Sequence, residues 1–313
     1  MRRRAFVYGT ATALLALAFV LALARVGEEA GKLSGWQAFT LGIVQGLTEL
    51  LPISSSGHLI IVPWLGDWRY LEENPDFNKT FDVALHLGTL VAVVAYFWDE
   101  IVRLVAAWFR SVRRRAIETA NERIAWVVFV ASIPAAIAGA VGADAIETHL
   151  GDPWQIAINL ALFGVLLWLA DRSAQTRRLD GIGLWPALGI GTAQALALMP
   201  GVSRSGITIT AGRFLQLDRD SAARLSFLLL VPIVFGAVVF KGMTDVVFGS
   251  LPSGSIGPFL VGTIAAAGAG LIAIDLLLGY LRRHDYSIFV IYRLCLAAAI
   301  LIIIATGVRE ATF

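Results

Sequence analysis

Charge is what this chain has least of. Only 15% of its 313 residues are Asp, Glu, Lys or Arg, while 58% are hydrophobic and the mean hydropathy is +0.75. Soluble domains carry about 25% charge. Too few charged groups remain to cover a globular surface in water, so a soluble domain is excluded and an integral membrane protein is indicated. Cysteine is nearly absent too. Cys295 stands alone, which rules out an internal disulfide and any zinc-type cluster; set in an apolar run, it reads as a packing residue. The net charge of +2 is too small to call for a nucleic-acid partner.

What is present is a series of long apolar runs. A membrane-crossing helix needs roughly 20 such residues. Ala5–Ala24 is one, preceded by Arg2, Arg3 and Arg4. Others are Phe81–Trp98, Ile124–Val141, Trp154–Ala170, Ser221–Phe240, Pro258–Tyr280 and Ile288–Thr306. Two more regions, Gly35–Leu65 and Leu184–Arg213, are apolar but cut in the middle by Pro, Gly and Ser. The basic loops are Met1–Arg4, Arg103–Arg115, Arg172–Arg178 and Arg282–Arg283, whereas Asp67–Asp76 and Asp144–Asp152 are acidic. Placing basic loops in the cytoplasm puts the N-terminus inside. It works only if each interrupted region enters and leaves on one side, as a re-entrant helix pair. Non-helical backbone at that depth must be enclosed by protein or face water, so the breaks are expected to line a cavity. The first run is expected to be a retained helix; cleavage as a signal peptide after Ala22-Leu23-Ala24 is the alternative.

The two breaks resemble each other. GIVQGLTELLPISSSG (Gly42–Gly57) and GTAQALALMPGVSRSG (Gly191–Gly206) share Gln45/Gln194, Leu47/Leu196, Ser54/Ser203, Ser56/Ser205 and Gly57/Gly206 at one offset, 191 − 42 = 149, with Pro52 and Pro200 close by. This is an internal duplication. Three spans separate the copies, so they insert from opposite faces, copy one from outside and copy two from the cytoplasm. The fold expected is an all-α polytopic membrane protein: an inverted-topology repeat with two re-entrant pairs, about six core transmembrane helices and one N-terminal helix. Residues 1–34 form an N-terminal extension and 35–313 one membrane domain, with repeats of about 35–170 and 184–307.

Small residues with glycine at a helix start expose backbone N–H groups, which with the helix dipole form an anion site. Ser54, Ser56, Gly57, Ser203, Ser205, Gly206 and Thr208 are the expected substrate-binding positions. Arg204 adds a fork suited to phosphate oxygens; an arginine at that depth needs a partner, and Glu49 is the structural candidate. Gln45 and Glu49 share a helix face and would hold a divalent cation, Mg2+ or Ca2+, bridging phosphate oxygens, unless Glu49 acts as a base. His58 suits acid–base work near neutral pH, and Ser55 is the candidate nucleophile; metal-activated water is the alternative, and serine runs also cap helices. The catalytic set is thus Glu49, Ser55, His58 and Arg204. Asp82 and His86 stand either behind the site or at the interface. Asp275, Tyr292 and Arg293 are read near the cytoplasmic ends of the last spans, where snorkelling explains them as well as function does.

The stretches from Gln45 to His58 and from Pro200 to Gly206 resemble the two signature motifs of the undecaprenyl-diphosphate phosphatase, or bacitracin-resistance, family. The likeness runs from about Gly35 to the C-terminus and takes in FDVALHLGTL (Phe81–Leu90) and the Tyr292-Arg293 pair. It implies a metal-dependent hydrolase of the bacterial cytoplasmic membrane that converts undecaprenyl diphosphate to the monophosphate carrier for peptidoglycan synthesis, with its site open to the outer face. The family pattern allows Glu or Gln at Gln45; this chain has Gln, one carboxylate fewer. The expected partners are a polyprenyl diphosphate and membrane lipid, with a homodimer left open. A polyprenyl-phosphate flippase would also want Arg204 and the anion sites, but the Glu49–Ser55–His58 group favours an enzyme. A second class of lipid phosphatase places a histidine soon after its Ser-Arg, and here none follows Arg204 before His284.

Overall fold

A computed structural model describes residues 2–24, 32–243 and 255–312, with side chains outside the description at 2–3 and 143–149. Thirteen α-helices are described: α1 (Arg2–Leu23), α2 (Gly35–Leu50), α3 (Ser55–Gly66), α4 (Arg69–Glu73), α5 (Pro75–Tyr96), α6 (Trp98–Arg114), α7 (Ala120–His149), α8 (Pro153–Asp171), α9 (Leu184–Ala195), α10 (Arg204–Phe214), α11 (Arg219–Lys241), α12 (Ile256–Leu281) and α13 (Ser287–Ala305). Seven of them (α1, α5, α7, α8, α11, α12 and α13) are long and apolar enough to cross a membrane. Among the described residues no strand forms; one isolated bridge joins Arg177 to Leu217. Local signals set the starts. Ser34 and Gln37 cap α2 reciprocally, Asp152 with Pro153 opens α8, and Asp218 receives the Ser221 amide at 2.7 Å to open α11.

Ion pairs fix which ends lie together. At one end Asp275 receives Arg4 (3.4 Å) and the hydroxyls of Tyr8 (3.1 Å) and Tyr96 (3.4 Å), joining α1, α5 and α12. There too Asp171 receives Arg213 (3.2 Å), Arg219 (2.8 Å) and the Tyr286 amide (3.1 Å), joining the ends of α8 and α10 to the starts of α11 and α13. At the opposite end Arg309, beyond α13, meets Asp67, beyond α3, at 2.9 Å. So α2 and α3 enter and leave at the Arg309 end. The chain on either side of α9 and α10, paired through Arg177 and Leu217, enters and leaves at the basic end. The two pairs are inverted.

They also exchange partners. α2 of the first repeat lies on α12 of the second, and α9 of the second lies on α7 of the first. Equivalent glycines make both approaches: a Cβ on Gly42 would stand 2.4 Å from Gly262 O, and one on Gly191 2.4 Å from Ala131 O. Only glycine permits backbones this close.

Four sequence expectations change. The basic stretch Arg103–Arg115 is not a loop but most of α6, an amphipathic helix between α5 and α7. The acidic stretch Asp67–Asp76 contains α4 and the start of α5, and α7 runs on to His149, past Asp144, whose side chain lies outside the described residues. Cys295 is exposed on α13 rather than packed. Arg293 is fully buried and does not snorkel.

Candidate active site

The two breaks meet in the middle of the bundle. Ser54 (φ 75°) and Ser203 (φ 76°) both hold a left-handed φ, a costly conformation for a residue with a Cβ, on the order of 1–3 kcal/mol. Each is the N-cap of the helix that follows. Ser54 Oγ accepts the Gly57 amide (3.3 Å), and Ser203 Oγ accepts the Gly206 amide (3.0 Å). The copies are stitched together. Ser54 Oγ also accepts the Gly201 amide at 3.1 Å, and Ser205 Oγ donates to Leu51 O at 2.8 Å. Two helix N-termini therefore converge, and the first amides of a helix have no intrahelical acceptor.

Arg293 holds the crossing from behind. Its guanidinium donates to the carbonyls of Leu160 (3.0 Å), Pro52 (3.2 Å), Val202 (3.1 Å), Asn159 (3.3 Å) and Gly201 (2.9 Å), so one side chain clamps both breaks to α8. Sequence reading leaves Arg293 between snorkelling and function, because Arg282 and Arg283 nearby suggest an interfacial arginine. The signals for function are its position inside an apolar span and the family resemblance, which takes in the Tyr292-Arg293 pair.

Glu49 is the hub of the front side. One carboxylate oxygen receives Nε and Nη2 of Arg204, both at 3.1 Å; the other receives a short hydrogen bond from Ser55 Oγ and stands 3.5 Å from His86 Nε2. Arg204 Nη1 donates to Ser226 O at 2.6 Å. Ser226 was missed; its signal was a serine within the apolar run of α11. Gln45 shares the Glu49 face, with Nε2 3.5 Å from that carboxylate, and its Oε1 is buried without a partner among the described residues. The repeat-related Gln194 likewise has an unpartnered Oε1. His86 therefore belongs to the cluster, resolving the two readings left open for it.

His58 stands apart from this hub. Its Nδ1 is 2.6 Å from Ser54 O, a pure acceptor, so Nδ1 carries the hydrogen; its Nε2 then accepts from Tyr292 OH at 2.7 Å. Among the described residues it bonds neither to Ser55 nor to Arg204. The Thr208 hydroxyl lies 2.8 Å from Arg204 O and 2.9 Å from Ser226 Oγ, against the arginine. Ser56 Oγ lies 3.4 Å from Ser54 Oγ, and Ser203 Oγ 3.2 Å from Ser205 Oγ.

The fit to a divalent cation can be tested on these donors. Among the described residues no group of three or more His, Cys, Asp or Glu forms a ready-made cage. Glu49, the orphaned Gln45 Oε1 and Ser55 Oγ nevertheless give a hard cation oxygen donors on one side, and magnesium commonly takes one or two carboxylates and completes its shell with water and phosphate. The residues fit such an ion with a phosphate present.

Residues 38–299 match the family model described as Bacitracin resistance protein BacA. Relatives described as undecaprenyl-diphosphatase include proteins of Moorella thermoacetica, 47% identical over 266 residues (84% of this chain and 95% of the relative), and Thermomicrobium roseum, 45% identical over 279 residues (86% and 98%). A third, from Gemmatimonas aurantiaca, is 44% identical over 272 residues (87% and 98%).

Proposed function

The chain belongs to the bacitracin resistance family, and from that premise we propose that it is a membrane phosphatase that hydrolyses undecaprenyl diphosphate to undecaprenyl phosphate and inorganic phosphate. The observation that carries the reading is the Glu49–Ser55–Arg204 cluster at the crossing of two helix N-termini. A carboxylate already receives the serine hydroxyl, and an arginine sits within reach of whatever that serine attacks.

The proposed chemistry uses these atoms. The terminal phosphate sits against the α3 and α10 N-termini, and Arg204 turns its fork from Glu49 towards the phosphoryl oxygens. Ser55 Oγ attacks the terminal phosphorus as its proton passes to Glu49. The bond to the bridging oxygen breaks and undecaprenyl phosphate leaves. Water then attacks the phosphoserine, giving up a proton to His58 Nε2 as Tyr292 swings away; the bond from phosphorus to Ser55 Oγ breaks as Glu49 returns its proton to that oxygen, inorganic phosphate departs, and His58 passes its proton to water. Glu49 and Gln45 would hold a Mg2+ or Ca2+ ion, which would supply charge neutralisation to the diphosphate. Gly57 and Gly206 let the two breaks pack closely, since a Cβ would stand 3.1 Å from Ile156 Cγ2 and 3.0 Å from Arg293 Nη1 respectively, and Ser54, Ser56, Ser203 and Ser205 fix the shape of the breaks.

The orientation proposed puts the basic end, with the N-terminus, in the cytoplasm of the bacterial inner membrane. In that orientation the site opens to the outer face, as the family resemblance implies; His86, the most exposed partner of Glu49 at 29%, lies midway along α5. Phosphate release from undecaprenyl diphosphate by purified protein, with and without EDTA, tests the reading. Release that EDTA and Arg204→Ala each abolish is the expected result. Folded wild-type protein that releases no phosphate would overturn it.

A further inference from the structure

Two imidazoles stand beside the crossing, and their nitrogens are used differently. His58 is satisfied at both, Nδ1 against Ser54 O at 2.6 Å and Nε2 against Tyr292 OH at 2.7 Å. His86 is satisfied at one. Its ring folds back over its own turn of α5, with Nδ1 2.7 Å from Asp82 O. A carbonyl only accepts, so Nδ1 carries the hydrogen, and in the neutral ring Nε2 keeps its lone pair. That Nε2 stands 3.5 Å from Glu49 Oε2. Two acceptors have no attraction for each other. An imidazolium would supply one, but a charge-assisted N–H···O bond closes to about 2.7–2.9 Å, and the separation here is well beyond that. Donors held on one divalent ion through bonds of about 2.0–2.2 Å stand about 3.0–3.4 Å apart, which is close to it.

The same carboxylate oxygen has a second loose neighbour. Gln45 Nε2 is also 3.5 Å from Glu49 Oε2, at the outer limit of a hydrogen bond, while Gln45 Oε1 is buried with no partner among the described residues. Turning that amide over exchanges a marginal hydrogen bond for an oxygen ligand. The His86 ring is already set for the same task, because an Nδ1–H held by a backbone carbonyl fixes tautomer and ring orientation in metal-binding histidines. His86 is also the open edge of the hub. Its side chain is 29% accessible, against 10% for Arg204 and 5% for Glu49, which gives an ion a way in past the imidazole.

We propose that His86 Nε2 is a ligand of the divalent ion that Glu49 and Gln45 would hold, so that the ion meets one imidazole nitrogen beside carboxylate and amide oxygens. The inference rests on the reading of the hub as a site for an ion and a diphosphate, and adds the donor that sets which ion is preferred. Calcium and magnesium take oxygen ligands, whereas imidazole suits first-row transition ions. His86 therefore raises the affinity of the site for an ion such as Co2+ relative to Ca2+.

Metal-free full-length protein in detergent, titrated with Mn2+ in the presence of inorganic phosphate and followed by electron paramagnetic resonance, tests this without turnover. The free-ion signal gives the affinity, and spin-echo modulation identifies nitrogen bound to the ion. Wild type is expected to show nitrogen modulation that changes when its histidines carry nitrogen-15, and His58→Gln should keep it. His86→Gln should lose the modulation and bind Mn2+ about tenfold or more weakly, the scale on which metal sites respond to loss of even a supporting partner. Co2+ should displace Mn2+ ahead of Ca2+ in wild type, and by a several-fold smaller margin in His86→Gln. The sign of the change separates a ligand from an ion pair: were His86 a cation paired with Glu49, its removal would tighten Mn2+ binding. Unchanged or tighter binding in folded His86→Gln, modulation that survives there, or wild-type protein without histidine modulation would each overturn the proposal. The last needs no variant and holds even if His86→Gln unfolds. Protein that binds Mn2+ through nitrogen but releases no phosphate fails the phosphatase reading alone, and protein that releases phosphate with Mn2+ bound only through oxygen fails this inference alone.

Discussion

At Arg293 a buried cation is held without a carboxylate. Its donors are spread over five carbonyls from α8 and both breaks, so the charge is spread by peptide dipoles rather than paired. Lysine has one nitrogen and no fork and reaches only a fraction of them. Arg293→Lys should therefore lower stability by about 3 kcal/mol, the scale for breaking a buried charged network, and remove activity although the side chain faces away from the cluster. Thermal unfolding beside phosphate release checks this; an unchanged melting point with full activity would deny the clamp. At His58 the proposed order of events gives a sharper readout. His58→Ala should stall the second step and leave Ser55 phosphorylated, detectable as label retained from terminally labelled substrate, whereas Ser55→Ala should retain none. Absence of label in His58→Ala with slow turnover would favour directly activated water. The residues of the front hub were legible because Gln45, Glu49 and Ser55 lie close in sequence and the repeat pointed across to Arg204. The contacts of Arg293, Tyr292 and Ser226 were not, because their partners lie on other elements, 18 to 241 positions away, and only the folded crossing brings them in.

Helix starts and re-entrant pairs could be read from caps and broken runs, since Pro, Gly and Ser interrupt an apolar stretch for few other reasons. α6 could not be read as a helix from charge alone: its arginines looked like a loop until their 3.6-residue spacing against Val102, Val105, Phe109 and Val112 was set in space. At this scale the tightest constraint is the approach of α2 to α12. Gly42→Leu would drive side-chain atoms into Gly262 O and should prevent folding, while Gly9→Ala, with open space around it, should leave the melting point unchanged or slightly higher. Equal tolerance at both sites would contradict the packing. α1 carries a comparable prediction. Asp275 takes Arg4 and Tyr8 from it, and the residues Ala11, Ala18 and Ala22 are fully buried. Deleting residues 1–34 leaves that carboxylate, among the described residues, with Tyr96 alone and bares the apolar side of α12, so the shortened chain should melt lower. Asp275→Asn should recover part of the loss in the shortened chain, because a neutral amide is cheaper to leave underpaired than a carboxylate.

Over the whole molecule the duplication was the most legible feature, since a constant offset of 149 survives in sequence even where the two copies now differ, Ser55 standing against Arg204 and Glu49 against Leu198. That divergence explains why one site forms and not two: one copy supplies the carboxylate and nucleophile, the other the cation. The interlocking of α2 with α12 and of α9 with α7 was not legible, because the same offset fits copies lying side by side. Inversion also makes orientation a physical question with two answers, and the basic end supports the one with the N-terminus inside. Cys295 is exposed and must first be replaced by serine. In that background Arg178→Cys, at the basic end, and Glu72→Cys, in α4 at the other, give two exposed reporters. A membrane-impermeant maleimide added to intact cells with a permeabilised outer envelope should label the Glu72 position at once and the Arg178 position only after lysis. That pattern puts Met1 inside and turns the His86 side of the cluster outward, where a diphosphate released on the outer leaflet would meet it. The reverse pattern would turn the same cluster towards the cytoplasm and make the substrate an inner-leaflet lipid.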